Sequence, residues 1–163
     1  AASFRYCIDG RPLRGTLYPP RLVLFRRTKC SYVQDGHTQL LKAVGHTAIL
    51  RTPILHDDRK PLSHWLWSQD RYAQLEAQKL VHTTIRELGF NDRIRKTIVL
   101  GPPLVFLYTL FARSLILDGW PGWYYAFQRT LAETLLSLRL IEAKLGVASR
   151  EPGAIHDVRS NAA

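Results

Sequence analysis

Residues 54–90 read ILHDDRKPLSHWLWSQDRYAQLEAQKLVHTTIRELGF, and this stretch decides the class of fold. Ile54 and Leu55 are typical of a short strand, and the apolar residues after Pro61 recur at intervals of three and four. Pro61 suits the first turn of a helix, and Gly89 suits its C-terminal cap. The stretch therefore predicts a strand and then one long helix that ends at Gly89, as in an α/β fold.

Short apolar runs and turn residues alternate on the N-terminal side of this stretch. The runs at 21–25 (RLVLF), 31–33, 47–50 and 54–55 are predicted to form strands, because glycines and prolines separate them. The predicted class is therefore α/β, with short strands of a mixed sheet followed by long helices.

The C-terminal side is apolar and aromatic. Residues 98–117 form a run of twenty mostly apolar residues, which is close to the length that crosses a bilayer. The turn DGWPGWYY at 118–125 carries aromatic residues that favour the membrane interface. A helix is predicted from about Trp123 to Leu145, with an apolar stripe formed by Phe127, Leu131, Leu135, Leu138 and either Ile141 or Leu145.

The run at 98–117 is compatible with three structures. It can span the membrane with Arg113 reaching the headgroups, lie in the interface beside a second amphipathic helix, or form a buried core helix. The interfacial arrangement is favoured, because it accommodates Arg113 and the aromatic turn at the lowest cost. The predicted domains are a catalytic part at 1–92, a membrane-associated helical hairpin at 93–146 and a polar tail at 147–163.

Composition restricts the classes of binding partner and the cellular compartment that we expect. The chain has 163 residues, 46% of them hydrophobic, and 23 Lys plus Arg against 13 Asp plus Glu. This length allows a core, and the net charge of +10 favours anionic partners, from nucleotides to phospholipid headgroups. Cys7 and Cys30 are expected to be free thiols in a reducing compartment. The absence of Met and of a signal-peptide pattern leads us to expect sequence upstream of residue 1.

The stretch YVQDGHTQ at 32–39 is the first candidate for chemistry. It places Asp35 and His37 two positions apart around a glycine that allows a sharp turn. The Asp35 carboxylate could deprotonate an acceptor hydroxyl, and His37 could bind phosphate or orient a substrate. The simpler alternative is a polar turn.

The stretch ILHDDRKP at 54–61 is the second candidate. A strand ends there and a helix begins, and such junctions bind ligands in open α/β sheets. His56 could coordinate a divalent metal, while Arg59 and Lys60 could bind a diphosphate. The alternative is a helix N-terminus capped by an aspartate, with a solvated basic pair.

The order of these motifs resembles bacterial family-two glycosyltransferases of the inverting GT-A type, related to lipopolysaccharide-core and exopolysaccharide enzymes. The resemblance covers about residues 10–145 and rests on four segments, GTLYPPRLVLFRR, YVQDGHTQ, LHDDRKPLSHWLWSQDRYAQLEAQKL and the DGWPGW turn. It implies the C-terminal part of an incomplete GT-A fold, whose nucleotide-binding half with its Asp-x-Asp-like motif cannot lie within residues 1–9.

The resemblance also implies an activity. A sugar would move from a nucleotide-sugar donor to a lipid-linked or cell-envelope glycan acceptor, at the cytoplasmic face of the bacterial inner membrane. Asp35 would be the base with His37 beside it, His56 and a Mg²⁺ or Mn²⁺ ion would complete the diphosphate environment, and the chain would be inactive without the nucleotide-binding half. The family's usual acidic pair is altered, because Gly36 and His37 follow Asp35.

Two other functions remain open. In the first, the chain is a noncatalytic membrane-surface protein whose aromatic C-terminal half is the functional part. In the second, it is a basic nucleic-acid-binding module, which the apolar run at 98–117 fits poorly. The chain lacks G-x-x-x-x-G-K-[ST], G-x-G-x-x-G, H-E-x-x-H and paired CxxC motifs, which argues against ATPase, dinucleotide-binding and zinc classes.

Overall fold

The computed structural model describes residues 1–36 and 38–146, and the fold is mixed α/β. Five strands are present in these residues: β1 (Phe4–Ile8), β2 (Arg11–Pro12), β3 (Cys30–Asp35), β4 (Thr38–Ala43) and β5 (Ile54–Asp57). The four α-helices are α1 (Leu62–His82), α2 (Phe90–Lys96), α3 (Gly101–Leu107) and α4 (Trp120–Lys144). His37 and the predicted polar tail at 147–163 lie outside the described residues.

The first sheet has three strands in the order β2-β1-β5. β1 is central, pairing antiparallel with β2 and parallel with β5, so that Phe4 is opposite Ile54. Asp9 and Gly10 connect β1 to β2 with φ angles of +48° and +76°. Two-residue hairpin loops with both φ angles positive match the twist of the flanking strands, which explains the Asp-Gly pair there.

The second sheet is the hairpin β3-β4, in which Cys30 pairs with Ala43 and Asp35 pairs with Thr38. The strands predicted at 31–33 and 54–55 are confirmed within β3 and β5, whereas β4 was not predicted. The predictions for 21–25 and 47–50 are wrong. Arg21 forms only an isolated bridge with Ala2, and the apolar side chains of Leu24 and Ile49 are exposed rather than packed on a sheet.

Helix α1 is shorter than predicted, because it ends at His82 and not at Gly89. Thr83 is extended, and the Thr84 hydroxyl and backbone N–H both donate to Glu87 Oε2, at 2.7 and 3.3 Å. Threonine side chains offer the backbone such non-helical hydrogen bonds, which explains the end of the helix. Gly89 instead precedes α2.

The apolar run at 98–117 is not one helix. α3 covers seven residues, a π-helical turn follows at Tyr108–Ala112, and a 3-10 turn occupies Leu115–Asp118. Ser114, between these turns, has a left-handed φ of +57° that breaks the helix. Within the part of the chain that the structure describes, no helix has both the length and the apolar character needed to cross a membrane.

Helix α4 confirms the last predicted helix, although it begins at Trp120, three residues before the expected start. Pro121 stands in its first turn, where a missing backbone N–H costs nothing. The predicted apolar stripe faces outward: Phe127, Leu131, Leu138, Ile141 and Leu145 are exposed, and Leu135 is partly buried. The helix buries a different face, which carries Tyr125, Leu136 and Leu140.

Two hydrophobic clusters hold the helices and the first sheet together. One joins α1 to α4 and also contains Leu88 and Ile98, and its α1 and α4 members are Ala73, Ala77, Leu80, Leu136 and Leu140. The other contains Tyr6, Leu13, Leu115 and Tyr125. Each cluster includes residues from both sides of the predicted boundary at 92/93, so the two predicted parts share their core.

Candidate functional site

Two polar cavities are lined by three of the predicted site residues, namely Asp35, Arg59 and Lys60. The first, here the Asp35 cavity, has a volume of about 460 Å³ and lies between the end of β3 and helices α1, α2 and α4. Its polar lining includes Asp35, Gln69, Tyr72, Lys79, Arg95 and Arg129. The cavity therefore combines the half-exposed Asp35 carboxylate with several cations, whose charge is balanced by further carboxylates of the lining, Glu76, Asp92 and Glu133.

The Asp35 carboxylate is held by the ammonium group of Lys79. Asp35 Oδ1 lies 2.6 Å from Lys79 Nζ, and the side chain of Asp35 is 37% exposed. Lys79 Nζ also lies 2.9 Å from Asp92 Oδ2 and 3.6 Å from Glu76 Oε1. One cation from α1 thus fixes the end of β3 while leaving part of the carboxylate accessible from the cavity.

Lys79 remains charged in this position. Its partial burial would by itself lower the pKa of the ammonium group, because burial penalises the charged form. Hydrogen bonds to Asp35 and Asp92 act in the opposite direction and outweigh it, so the pKa lies above its usual range. At neutral pH the cavity therefore contains a permanent positive charge beside Asp35.

Arg95 and Glu133 join α2 to α4 beside the same cavity. Arg95 Nη2 donates to Glu133 Oε1 at 2.6 Å and Arg95 Nε donates to Glu133 Oε2 at 3.0 Å, a bidentate geometry. Burial alone would lower the pKa of Arg95, but the hydrogen bond to Glu133 and the nearby carboxylates raise it. This pair joins α2 to α4 where both helices line the cavity.

The second cavity, here the Arg59 cavity, has a volume of about 350 Å³ and lies between β1, the β5-α1 connection and the start of α4. Both residues predicted to bind a diphosphate, Arg59 and Lys60, line it. Each cation has a neighbouring carboxylate: Arg59 Nε lies 2.7 Å from Asp57 Oδ2, and Lys60 Nζ lies 3.2 Å from Asp58 Oδ2. The structure therefore brings the predicted basic pair together, with its charge already matched.

His56 lies among aromatic rings. Its ring centroid is 5.2 Å from that of Tyr6, 6.0 Å from that of Tyr18 and 6.3 Å from that of Phe4. Among residues 1–36 and 38–146, no three His, Cys, Asp or Glu side chains are grouped so that they could hold a metal ion. Mg²⁺ and Mn²⁺ prefer oxygen ligands, so these surroundings do not fit the predicted cation, and we assign it no step.

Three of the predicted site residues are divided between the two cavities, and His56 lines neither. Asp35 lines one cavity, Arg59 and Lys60 line the other, and His37 lies outside the described residues. Arg129 stands between them, with its guanidinium carbon 5.7 Å from the ring centroid of Trp65 and 5.5 Å from that of Tyr125.

Several residues of these cavities escaped sequence analysis. Lys79, Arg95 and Glu133 surround Asp35, and Gln128 lines the Arg59 cavity. Their partners are between 38 and 44 positions away for the two ion pairs, a separation that local motifs do not reveal. Gln128 and Glu133 interrupt the buried face of α4 with polar groups, but that face became apparent only in the folded structure.

We compared the chain with models of known protein families, with curated proteins and with solved structures. None of the three comparisons finds a match.

Proposed function

We propose that this chain is the acceptor-side, C-terminal part of an inverting glycosyltransferase, with Asp35 as its catalytic base. In this proposal a sugar moves from a nucleotide-sugar donor to a lipid-linked or cell-envelope glycan at the cytoplasmic face of a bacterial inner membrane. The donor would be bound by a nucleotide-binding unit other than the described residues. The observation that carries the proposal is the half-exposed Asp35 carboxylate on a polar cavity.

The proposed reaction requires little from the chain beyond positioning and one proton transfer. The acceptor hydroxyl oxygen forms a bond to the anomeric carbon, the bond from that carbon to the nucleotide diphosphate breaks, and the hydroxyl proton passes to Asp35. Lys79, 2.6 Å away, holds the carboxylate in place for this transfer. Arg95 and Arg129 line the same cavity, but the carboxylates Glu76, Asp92 and Glu133 line it too, so the charge of the lining is balanced around Asp35.

The test compares Asp35→Asn with Asp70→Asn in the protein as its gene encodes it. The amide keeps the shape of Asp35 but cannot accept the proton, so transfer of a labelled sugar to a bacterial lipid extract should fall about 10²- to 10⁴-fold. Asp70 is a surface partner of Arg139 on α1 and serves as the matched control, with activity expected near wild type. Thermal unfolding of both variants establishes that they fold. Retained transfer by a folded Asp35→Asn protein would remove Asp35 from the role of base.

A second candidate function, attachment to a membrane surface without catalysis, is favoured by the exposed apolar residues of the α3–α4 region. Trp120 is 84% exposed, and further exposed apolar side chains are Leu104, Leu107, Phe111, Phe127, Leu131 and Leu138. The rings of Phe106, Trp123 and Phe127 pack together, with centroids 5.8 to 6.2 Å apart. With a net charge of +10, a vesicle surface containing anionic lipid is the expected partner.

Vesicle flotation tests whether the α3–α4 region is a membrane-docking surface, and the Asp35→Asn transfer assay decides whether catalysis accompanies it. The whole chain should float with vesicles that contain phosphatidylglycerol, and less with vesicles of phosphatidylcholine alone. A Phe127→Glu/Leu131→Glu variant should lose most of this binding, whereas Ile49→Glu, in the loop between β4 and β5, should retain it. Equal loss in both variants would mean that the α3–α4 region is not the docking surface.

A further inference from the structure

We infer that the Arg59 cavity binds a neutral sugar ring. The role of this ring as part of the glycan acceptor rests on the proposed function, whereas binding of the sugar is a property of the cavity and can be tested on its own. Three features support the inference: the charge balance of the lining, an unpaired buried amide, and the aromatic rings.

The charges that line the cavity cancel. Arg59 and Lys60 supply two positive charges, and Asp9 and Asp58 supply two negative charges. A phosphate would therefore find little net attraction, particularly because Asp57 and Asp58 already pair with the two cations. A polyhydroxylated ring, in contrast, needs donors and acceptors close together, and each of its hydroxyl groups can serve as both.

Gln128 presents an unused hydrogen-bonding group in this wall. Its residue is only 8% exposed, and its Oε1 atom is buried without a hydrogen-bond partner among the described residues. A buried acceptor without a partner is destabilising, and a donor from a ligand in the adjoining cavity would remove that cost. A sugar hydroxyl is a donor that can pair with this oxygen.

Aromatic rings form the remainder of the lining. Tyr6, Trp65 and Tyr124 line the cavity, and Tyr124, which is 39% exposed, provides the apolar surface on which the C–H side of a sugar ring can lie, whereas Tyr6 and Trp65 are buried. Burial, and after it the nearby Tyr18, raise the pKa of Tyr6 well above its usual range. The Tyr6 hydroxyl therefore keeps its proton and can act as a donor as well as an acceptor.

The size of the cavity is sufficient for a sugar ring. Small-molecule sites range from about 300 to 1,000 Å³, and a volume of about 350 Å³ is at the lower end of that range. The cavity therefore fits a terminal monosaccharide of a longer glycan.

The experiment is an NMR titration of the whole chain with a panel of neutral methyl glycosides, namely those of glucose, galactose, mannose and N-acetylglucosamine. At concentrations of about 10 mM, binding with a Kd in the millimolar range gives saturable shifts. Inorganic pyrophosphate is the anionic probe. We expect at least one glycoside to shift the Trp65 indole signal and pyrophosphate to leave it unchanged.

Gln128→Leu should weaken binding of that glycoside at least about tenfold, the equivalent of 1.4 kcal/mol for a lost hydrogen bond. Gln78→Leu, the same substitution at an exposed position of α1, should leave the affinity unchanged. Tyr124→Leu is a second test at a residue that is 39% exposed and tolerates change more readily. Tyr124→Leu should also weaken binding of the glycoside, because an aromatic surface is lost.

Three results would overturn the inference: saturable binding of pyrophosphate in place of the glycosides, no response to any glycoside, or glycoside binding that Gln128→Leu and Tyr124→Leu leave unchanged. The proposed function fails differently. If Asp35→Asn keeps full transfer while Gln128→Leu abolishes sugar binding, the base assignment is lost and the sugar site stands. If Asp35→Asn abolishes transfer but no glycoside binds, the base assignment stands and the sugar site is lost.

Discussion

The Asp35 cavity and the Arg59 cavity have similar polar linings, but their charges are connected in different ways. Around Asp35, ion pairs join residues that are far apart in sequence, such as Lys79 with Asp35 and Arg95 with Glu133. Around Arg59, the pairs join residues two positions apart. The first set connects β3, α1, α2 and α4, whereas the second set lies within residues 57–60 and reaches beyond them through the Asp57 carboxylate, which accepts a hydrogen bond from the Gly10 backbone. Charge near the first cavity therefore joins several distant elements, and charge near the second is matched within the connection between β5 and α1.

The largest effect is expected when one of the long-range ion pairs around the Asp35 cavity is broken. Glu133→Gln leaves the Arg95 guanidinium partly buried without its bidentate partner, and we expect the free energy of unfolding to fall by about 3 kcal/mol. Urea denaturation measures this change. Asp58→Asn removes the local pair with Lys60, which is half-exposed, and should cost no more than about 1 kcal/mol. Equal losses in the two variants would contradict the contrast between supporting and local charges.

A smaller effect is expected at the start of α4, away from both sets of ion pairs, from Gly122→Ala. A methyl group at Gly122 would overlap the carbonyl oxygen of Leu115, so the start of α4 must move. Overpacking of this kind costs about 1–3 kcal/mol, which exceeds the gain in helix propensity from alanine. The same urea titration measures the loss, and Gly89→Ala, where a methyl group meets no atom, is the control. A loss as large in Gly89→Ala as in Gly122→Ala would contradict this explanation.

The smallest effect concerns pH. The folded-state pKa of Lys79 is raised above its usual value of 10.5, so its contribution to stability is complete below about pH 10. That contribution is lost as the pH rises through the folded pKa, because the unfolded state releases its proton first. The difference in unfolding free energy between wild type and Lys79→Met should therefore be constant from pH 6 to about pH 9 and narrow above pH 10.5. A difference that narrows below pH 8 would contradict the assignment.

Parts of the fold that depend on local sequence were predictable. β5 and the start of α1 followed from an apolar run and from Pro61, and α4 followed from its periodic pattern. The end of α1 was not predictable, because it depends on hydrogen bonds of the Thr83 and Thr84 hydroxyl groups, to Lys79 O and Glu87 Oε2, at the C-terminus of the helix. The run at 98–117 read as continuous, and the left-handed backbone of Ser114 that divides it has no signal in an apolar pattern.

The candidate site was predictable only in its separate pieces. Arg59 and Lys60 are neighbours in sequence and share a cavity, as a local motif can indicate. That Asp35 lines another cavity depends on how the β3-β4 hairpin packs on α1, and Gln128 reaches the Arg59 cavity because α4 crosses the first sheet near Tyr6. The roles predicted for Asp35, His37 and His56 stay predictions.

The amino-acid sequence by itself determined the α/β class, the basic character, the strand and helix at 54–82 and the helix at the C-terminal side, because these depend on composition and on periodicity. The tertiary structure decided which face of each helix is buried. The predicted apolar stripe of α4 is mostly exposed, and Glu133 pairs with Arg95. The Oε1 atom of Gln128 is buried without a hydrogen-bond partner among the described residues. Such pairings depend on packing between residues distant in the chain, and local patterns do not encode that distance.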